Sequence, residues 1–401
     1  MVPDGWKRTT IGEVCDFVNG NGFKSSEWTD QGLPIIRIQN LNGSVDFNYF
    51  SGEPNPRWLV SPGDILFAWA GSKGASFGAK RWLGPIGVLN QHIFKVTPKA
   101  HIYQSWLYEE LRTVTEKIEN QAHGFKATLL HVQKADITEQ VINLPPYSEQ
   151  EKIAKILCTW DQAIATTEKL LCNSQKKKKW LMQQLLTKRK RLPEHDGEWK
   201  TFTLGSLGKT FTGLTGKSKE DFGSGFCYIP YKNIFKNSAI DINSFDLVNI
   251  GDNENQTKVQ FGDIFFTVSS ETPEEVGMSS VLLHRIDQVY LNSFCFGLRL
   301  FNFETLTPEY ARYLLRSDFM RKSISALAQG ATRYNISKRR LMQLDVVLPP
   351  VNEQQKIAKV LLNADDEISN FQHQLEKLNL EKRALTQQLL TGKRRTKVEA
   401  A

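Results

Sequence analysis

Cysteine is scarce and poorly placed for chemistry. The chain has five in 401 residues (Cys15, Cys158, Cys172, Cys227, Cys295), odd in number and scattered, with no CxxC pair. Neither a zinc site nor a disulfide framework is supported, and a reducing compartment is expected. Long apolar runs are missing too; no stretch approaches the ~18 residues of a membrane span. The opening Met1-Val2-Pro3-Asp4-Gly5-Trp6 lacks the basic and apolar regions of a signal peptide, so a cytoplasmic location is expected. The seven histidines (His92, His101, His123, His131, His195, His284, His373) keep no metal-ligand spacing, and no bound metal is expected. Most of the chain also lacks an excess of one charge. The net charge is +8, yet residues 1–144 carry 14 Lys+Arg against 14 Asp+Glu, and residues 193–348 carry 17 against 18. The surplus lies in residues 145–192 (11 against 4) and 349–397 (9 against 6). A DNA face on the near-neutral portions would have to come from local clustering.

What is present is a repeat. Leu144-Pro145-Pro146, Glu149-Gln150 and Lys152-Ile153-Ala154-Lys155 return 204 residues later as Leu348-Pro349-Pro350, Glu353-Gln354 and Lys356-Ile357-Ala358-Lys359. Gln183-Gln184-Leu185-Leu186-Thr187 returns as Gln387-Gln388-Leu389-Leu390-Thr391 at the same offset. A unit this long is a duplicated domain plus helix and no solenoid repeat. Two similar surfaces suit a target with two parts.

Each Pro-Pro-led segment reads as one long helix. Ile357, Leu361, Ala364, Ile368, Phe371, Leu375, Leu378, Lys382, Leu385 and Leu389 alternate steps of four and three, the seam of a coiled coil. The same seam runs through Ile153, Leu157, Trp160, Ile164, Thr167, Leu171, Ser174, Lys178, Leu181 and Leu185, with a lysine at the equivalent place. Prolines precede each start, and Gly392 is a plausible C-cap of the second helix. A helix of roughly 39 residues is about 58 Å long. Its simplest partner is its own copy, antiparallel; packing on its own domain or on another subunit would leave the same seam. The runs Lys176–Lys179 and Lys188–Arg191 fit either phosphates or a solvated helix surface.

The parts before the helices correspond more loosely. Trp6-Lys7 and Ile11-Gly12 match Trp199-Lys200 and Leu204-Gly205; Gln39-Asn40 matches Lys232-Asn233; Gly63-Asp64-Ile65-Leu66-Phe67 matches Gly262-Asp263-Ile264-Phe265-Phe266. Gly124 before Lys126-Ala127-Thr128 corresponds to Gly330 before Ala331-Thr332-Arg333. The offset drifts from 193 to 204, so the framework is shared and the loops differ. Ile35-Ile36-Arg37-Ile38, Ile65 to Trp69 and Val281-Leu282-Leu283 are strand-like; Gln104 to Asn120 and Pro308 to Leu327 are helical. The expected fold class is α+β: a first globular unit over 1–144, a first long helix over 145–192, a second unit over 193–348, a second long helix over 349–395 and a tail over 396–401. Each unit is a mixed β-sheet with helices, and the long helices form an antiparallel coiled coil.

Three near-motifs fail on chemistry. Gly216-Lys217-Ser218 resembles the end of a P-loop, but Phe211 stands where that loop needs a glycine. Leu144-Pro145-Pro146-Tyr147 resembles the Pro-Pro-Tyr loop of adenine methyltransferases, but Leu144 offers no acceptor for an amine. Pro3-Asp4 with Trp6-Lys7 lacks the carboxylates a nuclease uses to hold Mg²⁺. No catalytic function is expected of this chain.

Two variable α+β units alternating with two Pro-Pro-x-x-Glu-Gln helices that end in Gln-Gln-Leu-Leu-Thr resemble the DNA-specificity (S) subunit of a Type I restriction-modification system. The likeness covers essentially the whole chain. It implies that each unit is a target recognition domain reading one half of a bipartite, asymmetric double-stranded DNA sequence. It implies that the paired helices space the halves. It further implies two methyltransferase (M) subunits and restriction (R) subunits as partners, with S-adenosylmethionine, ATP and Mg²⁺ on those partners and no cofactor on this chain.

Base edges are read by Arg, Lys, Asn and Gln, and phosphates by Lys, Arg and hydroxyls. Polar residues beside glycines or strand ends are therefore the DNA-binding candidates. In the first unit these are Lys24, Arg37, Gln39, Asn40, Lys73 and Lys126; in the second, Lys217, Lys219, Tyr231, Lys232, Asn233, Arg333 and Tyr334. Asn40 and Asn233 sit at shared anchors, a placement that equally suits a turn-capping role. A different class, a protein-binding scaffold with a coiled-coil strut, fits the near-neutral units. A third reading, the recognition part of a self-contained restriction enzyme, lacks its catalytic motifs.

Overall fold

A computed structural model of the chain describes residues 2–121 and 129–396. The chain divides into two compact units, Met1–Thr167 with Gln374–Ala401, and Glu168–His373. Each therefore holds one globular domain and one half of each long helix. This differs from consecutive sequence segments because a long amphipathic helix is stable only where its stripe is covered, and the cover comes from the other copy.

The two domains share one frame. A four-stranded antiparallel sheet runs Cys15–Asn19, Ile93–Pro98, Ile65–Ala68, Gly78–Arg81 in the first. It runs Gly208–Thr212, Cys295–Leu300, Ile264–Thr267, Ser279–Val281 in the second. The shared Gly-Asp-Ile-hydrophobic-Phe anchor explains its centre. Gly63 and Gly262 turn the chain at φ +97° and +85°. Asp64 and Asp263 accept the N–H of the residue three before them, each at 2.7–2.8 Å. The strand behind is buried on both faces, so its run is continuously apolar. Ile65 and Phe67 enter one core and Leu66 and Ala68 another; Ile264 and Phe266 likewise separate from Phe265. A second sheet in each domain contains a parallel pair, Ile35 beside Val88 and Tyr228 beside Tyr290.

The opening strand of each domain pairs with its last, Lys7–Thr10 with Val141–Leu144 and Lys200–Thr203 with Asp345–Leu348. Entry and exit thus meet at the root of the following helix. The strand expected at Ile35–Ile38 stops at Ile36, because the Asn40 side chain accepts the Arg37 N–H at 2.9 Å and turns Ile38–Leu41 into helix. The helix expected over Pro308–Leu327 is two, Pro308–Leu314 and Asp318–Ser325, since Ser317 caps the second by accepting the Met320 N–H.

The long helices span Tyr147–Leu185 and Val351–Leu390. All twenty seam residues are buried or half-buried. Within the first unit Glu149 meets Arg395 and Asp161 meets Lys382. Within the second Lys178 meets Asp365 and Arg191 meets Glu353. Numbers rise on one helix as they fall on the other, so the pairing is antiparallel in each unit. Both seam lysines, which interrupt the apolar pattern, are answered by the aspartate of the other copy.

The Glu-Gln motif is a junction. Glu149 accepts the Trp6 indole N–H at 3.3 Å and two N–H groups of Arg395 at 3.0 and 2.5 Å. Glu353 does the same for Trp199 at 3.2 Å and Arg191 at 3.2 and 2.6 Å. Gln150 donates to the Pro145 carbonyl and accepts the Tyr103 N–H; Gln354 donates to Pro349 and accepts the Thr307 N–H. The repeated Trp, Pro-Pro, Glu-Gln and terminal arginine are thus one fastening, used once per unit. Gly392 follows the second helix at φ +72°, and its N–H donates to the Leu389 carbonyl, as a C-cap does.

Candidate nucleic-acid interface

In the first unit the turn after Leu33–Ile36 carries three candidates. Asn40 is buried, and its amide donates to the Ser44 and Asp46 carbonyls while its oxygen accepts from Arg37. Half-buried Arg37 donates to Asn48 and lies 5.1 Å over the Trp28 ring. Gln39 is exposed, with a long 3.5 Å contact to the Asp46 carbonyl. Lys24 is exposed on the loop that leads to Trp28. Lys73 lies apart from these, its ammonium donating to the Glu119 carbonyl at 2.7 Å. Lys126 lies outside the described residues.

In the second unit Asn233 repeats Asn40. It is buried, donates to the Asp241 and Ser244 carbonyls and accepts from Asp241. Both asparagines therefore serve as loop caps, the second role their shared placement allowed, and both amide hydrogens of each are spent on chain carbonyls. Lys217 is corrected as a DNA-binding candidate. Its side chain is 3% exposed and paired with Glu254 at 2.5 Å, which neutralises it. Lys219 is exposed on the same loop.

The remaining candidates of the second unit converge. The Tyr231 hydroxyl donates to the Ser269 carbonyl at 2.7 Å, its ring stacks on Phe235, and burial raises its pKa. Ser269–Ser270 pairs with Tyr334–Ile336, Ser270 opposite Tyr334. Exposed Arg333 stands at the hairpin tip before that strand, within electrostatic reach of Tyr231. Lys232 is exposed next to Tyr231. The Glu275 carboxylate accepts from Ser270 at 3.1 Å, adding an acceptor among donors. Two arginines hold this surface in shape. Arg316 donates to the carbonyls of Ile234, Phe235, Asn237 and Ser279, and Arg321 to those of Glu274, Val276 and Gly277.

The first unit has a different group at the matching place. Trp69 lies 4.8 Å from both His92 and His131, and its indole donates to Asn19 at 3.1 Å. His92 adopts φ +75°, uncommon for a residue with a Cβ. No spacing in the sequence marks these four; the turn at His92 and the ladder from Ala70–Ser72 to Leu129–His131 assemble them. The lysine run is mostly engaged: Lys177, Lys178 and Lys179 pair with Glu367, Asp365 and Asp318. Among the described residues no group of three His, Cys, Asp or Glu is placed to hold a metal, and no helix is long and apolar enough to cross a membrane.

Two copies of one frame carrying unlike polar surfaces define a paired recognition protein. Residues 3–172 and 196–380 match the model of the Type I restriction modification DNA specificity domain, and the chain belongs to that family, carrying two copies of the domain. It is 26% identical to the Type I restriction enzyme MjaVIII specificity subunit of Methanocaldococcus jannaschii over 99% of this chain and 94% of that one. It is 24% identical to the EcoKI specificity subunit of Escherichia coli K12 over 89% and 82%. In fold it resembles the S subunit of a Type I restriction-modification system from M. genitalium, with TM-score 0.57 at 17% identity over 97% of this chain and 96% of that one. A chain from a structural study of type I R-M complex assembly gives TM-score 0.61, also at 17% identity, over 97% and 98%.

Proposed function

We propose that the chain is the addressing subunit of its restriction-modification complex: each domain reads one half of a bipartite DNA sequence, and the helices set the gap between halves. The observation that carries this is the repeated frame with unlike surfaces, Trp69, His92 and His131 in one copy and Tyr231, Arg333, Tyr334 and Glu275 in the other. One frame with two chemistries suits two half-sites of different sequence. Lys24, Arg37, Gln39, Lys73 and Lys126 of the first domain, and Lys219, Lys232, Arg333 and Tyr334 of the second, supply donors for bases and phosphates, while Tyr231, its O–H given to Ser269, offers an acceptor oxygen.

Catalysis then belongs to partners. Methyltransferase subunits, two by the duplication, would bind S-adenosylmethionine, and restriction subunits would use ATP and Mg²⁺, in the cytoplasm where the DNA lies. Exchanging residues 1–144 for the same unit of a relative is expected to change one half of the methylated motif and leave the other. Methylome sequencing that shows both halves altered, or neither, refutes one domain per half. A protein-binding scaffold instead predicts no steep loss of DNA affinity with salt.

A further inference from the structure

Each unit places a short helix at the same point of its frame, Lys134–Thr138 in the first and Lys338–Met342 in the second, 204 residues apart. Ile137 and Leu341 are fully buried and fix the rotation of each helix. The residues this turns outward differ. In the first unit they are Lys134, Ala135 and Asp136; the Lys134 ammonium donates to the Phe17 carbonyl at 2.9 Å, and the Asp136 carboxylate accepts the Gln133 N–H at 2.7 Å. In the second they are Arg339 and Arg340, both exposed.

Local structure does not call for these arginines. In a helix of five residues the first and last turns overlap, so the dipole neither favours nor opposes them. Ser337 takes the capping role, accepting the Arg340 N–H at 3.4 Å. Among the described residues neither guanidinium has an ion pair. The helix follows directly on Tyr334–Ile336, and Arg333 precedes that strand beside Tyr231. At ~3.3 Å per strand residue, the path from Arg333 to the helix start at Lys338 is roughly 17 Å. A DNA strand carries a phosphate every ~3.4 Å of axis, so this edge is long enough to meet several in succession.

We propose that Arg339 and Arg340, continued by Arg333, grip DNA phosphates and anchor the second domain without reading bases. This rests on the second domain being a DNA reader. A helix of the same frame that carries Asp136 in one copy and Arg340 in the other argues for a contact the first domain does not make there.

The test uses the full chain assembled with its methyltransferase partner and a labelled duplex carrying its methylated motif. Affinity is measured by anisotropy across a salt series. Arg339→Gln with Arg340→Gln is expected to weaken binding to cognate and unrelated duplexes alike, to reduce the slope of log affinity against log salt by roughly two, and to leave the methylome motif unchanged. Arg339→Lys with Arg340→Lys keeps the charge and is expected to keep the slope. An unchanged slope in the Gln variant, a motif altered in one half, or lost assembly with the partner overturns the proposal. A wild-type complex whose binding ignores salt would instead sink the DNA-reading function itself, and this inference with it.

Discussion

Replacing Lys382 by Met tests the fastening of the coiled coil. Lys382 is 6% exposed and meets Asp161 at 2.5 Å and Glu109 at 3.8 Å. Removing one partner of a buried ion pair costs about 3–5 kcal/mol, because the other charge stays buried and uncompensated. Two details lower that figure. Arg112 still faces Glu109 at 3.3 Å, and Asp161 is 43% exposed, so water takes over part of the loss. About 2–4 kcal/mol is therefore expected, or roughly 4–16 °C in Tm for a unit of this size. The matching Lys178→Met should cost less: Lys178 is more exposed than Lys382, and although Asp365 is less exposed than Asp161, it keeps Arg312 at 3.1 Å and the Tyr313 hydroxyl at 2.8 Å. Calorimetry of both variants, with Lys382→Met/Asp161→Asn closing a double-mutant cycle, reads the difference. A Tm within a degree of wild type for Lys382→Met, or a larger loss for Lys178→Met, refutes the reasoning.

Burial pushes the Glu110 carboxyl up to about 8 from an ordinary 4.5, and its Oε1 has no hydrogen-bond partner among the described residues. The folded chain keeps a proton that the unfolded chain releases. This stability is full below about pH 4.5, falls as pH rises and is gone by about pH 8. Glu110→Gln stays neutral, so its melting temperature should fall less than wild type between about pH 5 and pH 8; parallel pH profiles would contradict the assignment. Gly392→Ala should destabilise by at least about 1 kcal/mol, because φ is +72° and the new Cβ would stand 2.3 Å from Pro3 Cγ. An unshifted urea midpoint would count against it.

The long helices were legible because a seam of alternating threes and fours depends only on which face is covered, and both seams are covered along their length. The repeated anchors were legible as anchors, and of the two roles open to their asparagines the structure shows the capping one. Asn40 and Asn233 recur because the turn after the strand needs an internal cap in both copies. Repetition in a duplicated protein therefore marks what the fold requires, and the reading surface lies where the copies disagree. Trp69, His92 and His131 could not be found this way; a left-handed turn and a ladder between distant segments bring them together. The pairing of Lys217 with Glu254 spans 37 residues and leaves no trace in local spacing. The division of each long helix between two units was hidden for the same reason, since it depends on which copy covers which half.

The reciprocal pairs Lys382 with Asp161 and Lys178 with Asp365 have a consequence for inheritance. A mutation in one seam is felt at once by the opposite copy, so the two helices must drift in step, like the teeth of meshed gears. The His92 turn and the Arg333 hairpin belong to different units. Natural variation should accumulate at the heads while the stems stay interchangeable between lineages.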